Sequence, residues 1–231
     1  MVNLSKIGKG RHITYHQPKE VLDIDVAELL GLHAGDGYMS RGLWGIRCNL
    51  QDGNMAKRII HLAWKVLGVE PIVSIRENTF EIRSDQRQVI RFFQKYGFFE
   101  GRKAYIVQAP DQITSTNDPK IIEGFLRGLF SSDGSFSFQK RDHSPRIDLV
   151  VRSRLLRNQF VDLAIKLGFS FNKSDPVRVK KGFTMKSTGA FFNANLTSRA
   201  EVQKWMTTIS TLCDRHIKRF RLWQSKIQSR V

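Results

Sequence analysis

"LLGLHAGDG", Leu29–Gly37, is nearly restated ninety-seven residues later as "LRGLFSSDG", Leu126–Gly134. Each copy is an apolar stretch broken by glycine and small residues and closed by Asp-Gly. In the first, Gly31, Ala34 and Gly35 stand at i, i+3 and i+4; in the second, Gly128, Ser131 and Ser132 do. On a helix this spacing lines up one stripe nearly bare of side chains. A single stripe would let its helix lie against a sheet, whereas two in matching register let the helices meet each other at close backbone distance. Pairing across a pseudo-two-fold axis is therefore expected, and it sets Asp36 beside Asp133.

The repetition continues beyond the motif. "GIRCNLQDGNMAKRIIHLAWKVLGVEP" at 45–71 is echoed by "PRIDLVVRSRLLRNQFVDLAIKLGFSF" at 145–171, an offset of 100. "FEIRSDQRQVIRFF" at 80–93 is echoed by "NANLTSRAEVQKWM" at 193–206, an offset of 113. The drift requires about three extra residues near 139–146 and about fourteen near 174–190, both polar or Gly/Lys-rich stretches where loops accept insertions. The chain divides into a basic N-terminal arm over 1–21, a first lobe over 22–117 and a second over 118–231.

Within a lobe the elements follow from periodicity and punctuation. Val26–Asp36 has helical apolar spacing, and Asp25 and Glu28 have the form of a capping box at its start. Its counterpart opens at Asp118-Pro119, an N-cap followed by proline at the first helical position. Gly37 and Gly134 are expected to end these helices as C-terminal glycines. Alternating segments, Tyr38–Met39 with Trp44–Leu50 and Gly134–Phe138 with Ile147–Val151, read as hairpins. Helices are predicted next at 54–68 and 154–168, strand pairs within 72–84 and 175–198, and further helices at 86–96 and 200–211. The fold class is α+β: two pseudo-symmetric αββαββα lobes with antiparallel sheets.

The composition narrows the partners. Thirty-eight Lys and Arg against 21 Asp and Glu leave a formal charge of +17 on 231 residues, spread from Lys6 to Arg230 among Trp, Phe and Leu, so a folded surface is expected to meet a polyanion. No apolar run is long enough for a membrane span, and neither a basic amphipathic helix nor a lipidation signal is evident. Cys48 and Cys213 stand far apart, which suggests neither a disulfide framework nor a zinc cluster and fits a reducing intracellular setting. The N-terminal segment has basic residues without the apolar centre of a secretory signal.

Two carboxylates at facing helix C-termini meet the negative ends of both dipoles and repel each other. A cation resolves that conflict, and carboxylate oxygens with room for water and phosphate suit magnesium better than zinc. Read one copy at a time, Asp-Gly is equally turn chemistry leading into a hairpin.

The two segments resemble the LAGLIDADG motif through Leu29, Gly31, Leu32, Ala34, Asp36 and Gly37, and again through Leu126, Gly128, Leu129, Asp133 and Gly134. Over roughly residues 22–225 the chain resembles a single-chain, two-motif LAGLIDADG homing endonuclease. His33 and Phe130 replace the middle Ile of the motif and Ser131 an alanine, leaving both acidic positions intact. The resemblance implies an interface of the two motif helices and saddle-shaped sheets in the major groove, one lobe on each half-site. It implies a monomer with internal pseudo-two-fold symmetry that cuts double-stranded DNA by metal-assisted water attack.

By the same resemblance Asp36 and Asp133, with the preceding Gly35 and Ser132, form the metal set. Magnesium is expected, with manganese as a substitute and calcium bound without turnover. Gln51 and Arg152 fit the polar positions before the second helix of each lobe, although an offset of 100 sets Val151 opposite Gln51. Lys103 and Lys218 are the basic candidates late in each lobe. DNA-reading candidates are Arg41, Trp44, Arg47, Asn49, Arg76 and Arg83 in the first lobe, and Gln139, Lys140, Arg146, Asp148, Arg178, Lys180, Lys186 and Asn193 in the second. Intron RNA is an alternative partner, as for a maturase. A non-catalytic DNA-binding regulator on the same fold would be expected to lose an acid. An intein is disfavoured, since the chain starts with Met and ends "IQSRV". His33 is read as a packing residue within its helix rather than as a base.

Overall fold

The structure, a computed structural model, describes residues 15–175 and 190–228. Arg178, Lys180 and Lys186 lie outside the described residues, as does most of the N-terminal arm. The first lobe runs α1 (Ile24–Asp36), β1 (Gly37–Ser40), β2 (Leu43–Asn49), α2 (Gly53–Leu67), β3 (Ile72–Arg76), β4 (Thr79–Ser84) and α3 (Arg87–Lys95). A short helix, α4 (Asp111–Thr114), leads into the second lobe. There the order repeats as α5 (Pro119–Asp133), β5 (Gly134–Phe138), β6 (Pro145–Val151), α6 (Arg154–Lys166), β7 (Asn172–Ser174), β8 (Phe192–Leu196) and α7 (Arg199–Thr208), followed by α8 (Asp214–Gln228). The two antiparallel sheets have matching orders, β1-β2-β4-β3 and β5-β6-β8-β7. Among the described residues no helix is long and apolar enough to cross a membrane.

Strand alternation gives each sheet a core face and an open face. In the first lobe Trp44, Ile46, Cys48, Phe80 and Ile82 turn into the core; in the second Phe136, Ile147, Leu149, Val151, Ala194 and Leu196 do. Helices cover these faces, and α1 and α5 pack on each other between the lobes.

The helix ends differ in part from the sequence expectation. Asp118 caps α5 by accepting from the Lys120 amide at 2.9 Å, with Pro119 following it. For α1, however, the N-cap is Asp23, which accepts from the Val26 amide at 2.9 Å. Asp25 and Glu28 make no capping box because both serve ion pairs: Asp25 with Arg58 at 2.7 Å and Lys65 at 2.6 Å, and buried Glu28 with Arg58 and Arg127 at 2.6 Å each. Glu28 thereby bridges α2 of one lobe and α5 of the other. Gly37 and Gly134 are not left-handed C-caps either; with φ of −75° and −87° they are extended and begin β1 and β5. Glycine is required there by crowding, since a Cβ on Gly37 would lie 2.6 Å from the His33 carbonyl oxygen and one on Gly134 2.5 Å from Phe130 Cε2.

Helix α8, which the internal repeat does not foreshadow, closes the second lobe and returns to the first. Phe220 and Trp223 pack edge-on against Phe136 at 5.6 and 6.1 Å, and Trp223 Nε1 donates to the His143 carbonyl at 2.7 Å. At its start α8 exchanges caps with α2. Asp52, the N-cap residue of α2, makes no side-chain bond to its own helix and instead accepts from the Arg215 amide at 3.2 Å and from Arg215 Nε at 3.0 Å. Asp214 in turn accepts from the Asn54 amide at 2.9 Å and from Asn54 Nδ2 at 2.6 Å. Each helix thus has an N-terminal donor satisfied by the other lobe.

Candidate active site

The motif helices approach closely enough that backbone meets backbone. A Cβ on Gly31 would overlap the Phe125 carbonyl oxygen and lie 2.8 Å from the Leu129 amide; one on Gly128 would overlap the Glu28 carbonyl oxygen in the same way and lie 2.8 Å from the Leu32 amide. One turn further on, a Cβ on Gly35 would lie 3.0 Å from Ser132 Oγ and 3.2 Å from Asp133 Oδ2. The small-residue stripe therefore delivers both aspartates to one place, between the sheets. Asp36 is exposed and Asp133 half-buried.

Lys103 Nζ closes this site from the first lobe. It donates to the carbonyls of His33, Ala34 and Gly35, the last two at 2.6 and 2.9 Å, satisfying the orphan acceptors at the C-terminus of α1. Burial, then repulsion from Asp133, lifts the Asp36 carboxyl from its ordinary range to about 7, against the pull of Lys103 and Arg215. Water at the exposed edge of Asp36 screens part of that repulsion. Burial lifts Asp133 to about 6, opposed by Lys103. Burial also lowers the Lys103 ammonium to about 8, against the attraction of both aspartates. His33 is driven well below its ordinary value by burial and then by Lys103. It packs on Phe93 and Phe98 at 4.2 and 4.7 Å, the surroundings of a neutral core imidazole.

The other candidates fall in several places. Lys218 stands on exposed surface of α8, and the basic residue of α8 that bears on Asp36 is Arg215, held by Asp52 at 2.8 Å. A sequence signal for Arg215 existed. Arg87 and Arg199 open α3 and α7, an offset of 112 (199 − 87), and the same step carries Lys103 to 215. Gln51 and Arg152 each stand directly before an N-cap, Asp52 and Ser153, so the local offset is 101 and the two do correspond. Gln51 is exposed, whereas Arg152 donates to the Tyr105 hydroxyl at 3.0 Å and lies over the Tyr105 and Phe191 rings at 5.4 and 5.1 Å. Ser132 Oγ donates back to the Gly128 carbonyl at 3.2 Å.

Arg47, Asn49, Arg76 and Arg83 share the open face of the first sheet, and Arg41 lies exposed in the β1–β2 turn with φ of 52°. Trp44 does not join them. It is fully buried and stacked on Phe93 at 5.4 Å, as its even-numbered place between outward Leu43 and Gly45 dictates. In the second sheet Arg146, Asp148 and Asn193 share the open face, with Asn193 nearly buried and donating to Asp148 at 3.2 Å; Gln139 and Lys140 are exposed beyond β5. Sequence reading missed Glu81, a buried acid on the open face of β4.

Residues 120–187, spanning α5 and the second sheet's first strands, match the family model of a LAGLIDADG-like domain. The chain carries a LAGLIDADG-like domain. Solved LAGLIDADG structures extend the fold over both lobes. The N-terminal LAGLIDADG domain of DUF199/WhiA superposes with a TM-score of 0.53 at 14% identity, covering 85% of this chain and 86% of that one. The homing endonuclease I-DmoI in complex with DNA and Mn gives 0.52 at 16% identity, covering 81% and 96%. The LAGLIDADG meganuclease I-AabMI bound to uncleaved DNA gives 0.51 at 11%, covering 86% and 88%. No curated protein sequence matches the chain.

Proposed function

We propose that the chain is a site-specific double-strand DNA endonuclease of the homing type, hydrolysing phosphodiester bonds with a divalent cation. The observation that carries this reading is the juxtaposition of Asp36 and Asp133 at facing helix C-termini, each with a raised carboxyl, between two open sheet faces on a strongly basic chain. One chain supplies both halves of the site, so a monomer is the expected working state. Solved relatives on this fold hold DNA with Mn or with Mg.

The residues fit a hard cation. The donors are carboxylate oxygens whose mutual repulsion a positive charge would relieve. Among the described residues no three His, Cys, Asp or Glu side chains gather into a closed cage, so most of the coordination would be left to water and phosphate, as magnesium prefers. Gly35 is the less suited of the two carbonyl candidates, because its oxygen already accepts from Lys103. Bound there, such an ion would polarise the phosphate and lower the pKa of the attacking water.

The protein's own groups do the rest. Lys103 places positive charge beside both aspartates, and Arg215 from the other lobe beside Asp36, where negative charge grows on the phosphate. Lys103 Nζ, fixed by three carbonyls, keeps its ammonium in register with α1. The open sheet faces supply Arg47, Arg76, Arg83 and Arg146 for phosphate or base contacts, one lobe per half-site.

A randomised duplex library incubated with magnesium tests the reading. Wild-type protein should yield cut molecules sharing one long asymmetric sequence, and the Asp36→Asn/Asp133→Asn protein should yield none. Absence of any cut family with wild-type protein, or the same family with the double variant, overturns it; binding without cutting would leave a DNA-binding module on the same fold.

A further inference from the structure

Glu81 is out of place on a surface that meets a polyanion. It sits mid-strand in β4, directly opposite Arg47 of β2 and Ser74 of β3, on the open face of the first sheet, yet its side chain is only 2% exposed. Neighbouring side chains enclose it. Oε1 accepts from Arg47 Nε at 3.1 Å, Arg47 Nη2 at 2.7 Å and the Tyr38 hydroxyl at 2.9 Å. Oε2 accepts from Ser74 Oγ at 3.4 Å and forms ion pairs with Arg76, its Nε at 3.0 Å, and with Arg83, its Nη1 at 4.0 Å. Burial alone would raise this carboxyl; the Arg47 and Tyr38 bonds outweigh it and hold it below its ordinary value, so it stays ionised.

The two arginines it holds remain accessible, with side chains 54% and 59% exposed. Arg47 is fixed twice over, since its guanidinium also lies over the Tyr38 ring at 5.2 Å. An unrestrained arginine on a basic face is captured by the nearest phosphate, a contact that carries no sequence information. Guanine readout needs the opposite, a planar fork held in one orientation to meet O6 and N7 together. A carboxylate that takes hydrogen bonds from Nε and Nη2 of Arg47, pairs with Arg76 from its Nε side, and leaves terminal N–H groups of both for DNA meets that need, at the cost of one negative charge near the polyanion.

We infer that Glu81 is a positioning residue for specificity: it orients Arg47 and Arg76 toward guanine, so that the half-site under the first lobe depends on guanine. This rests on the DNA-binding reading above. The test is a binding selection from a randomised duplex library, with calcium in place of magnesium and bound duplex separated from free. Wild-type protein should enrich sequences with guanine at positions on one side of the centre. Glu81→Gln should lower guanine discrimination at those positions about tenfold, as expected for loss of a bidentate contact, while leaving preferences on the other side unchanged. The unchanged side reports a folded protein. Arg47→Lys, which keeps the charge but not the fork, should lose the guanine preference attributed to Arg47, and it decides the question if Glu81→Gln does not fold. Wild-type selection without guanine on either side, or unaltered guanine preference in the variant that folds, overturns the inference. Enrichment of no sequence at all by wild-type protein overturns the DNA-binding reading and this inference with it.

Discussion

Gly31 and Gly128 occupy equivalent places across the pseudo-two-fold axis, each where the partner helix backbone passes so closely that a Cβ would lie 2.8 Å from the Leu129 or the Leu32 amide nitrogen respectively. Neither helix has a flexible side-chain tip at that point that could give way. Gly31→Ala or Gly128→Ala should therefore cost about 3 kcal/mol, the upper part of the overpacking range, because backbone must shift along the whole helix pair. Urea denaturation measures this; a loss below about 1 kcal/mol for either variant would mean that the helices tolerate separation.

The acidic pair should make stability fall as pH rises. Asp36 and Asp133 bind protons more tightly in the native protein, at about 7 and about 6, than in the unfolded chain, whose carboxyls titrate near 3.8. Stability associated with their protonated forms is fully present below the unfolded value and is lost as pH climbs through the native ones. Asp36→Asn should raise stability by roughly 1–2 kcal/mol at pH 8, after allowing for the exposure of Asp36, and by nothing below pH 4. Thermal melts across that window test it, and equal effects at both ends would contradict it. Magnesium or manganese should raise Tm more at pH 8 than at pH 5, since both ions prefer the ionised pair.

Asp52 has the opposite sign. Burial pushes its carboxyl up, but the bonds from Arg215 and Cys213 outweigh it and hold it below the ordinary range, so its contribution is present at neutral pH and lost in acid. Asp52→Ala should cost about 2 kcal/mol through the lost cap and ion pair. A double-mutant cycle with Arg215→Ala should show coupling of about 1 kcal/mol. Additive effects would mean that α8 and α2 do not share these caps.

Much of this arrangement is legible in the sequence because it is periodic. The Gly31 and Gly128 stripes predict the helix pair, and the pair predicts where Asp36 and Asp133 meet. What periodicity does not carry is harder to read. Trp44 does not share the alternation of Arg47 and Asn49; its parity in β2 sets it on the core face. Lys218 falls on exposed surface because the insertions of the second lobe change the offset from element to element, and the step of 112 that joins α3 to α7 carries Lys103 to Arg215 instead. The Asp25–Glu28 spacing imitates a capping box, yet both acids are drawn away by Arg58, which is distant in sequence and close only after folding. Glu81 could not be recognised from a strand pattern, since its importance lies in cross-strand neighbours.

The most direct test of the central claim, that two facing helices build one cutting site from Asp36 and Asp133, is strand scission of a selected target duplex in magnesium by Asp36→Asn and by Asp133→Asn. The account predicts that each variant binds the duplex with nearly unchanged affinity and makes no double-strand break. Double-strand cutting at the wild-type rate by either variant would contradict it.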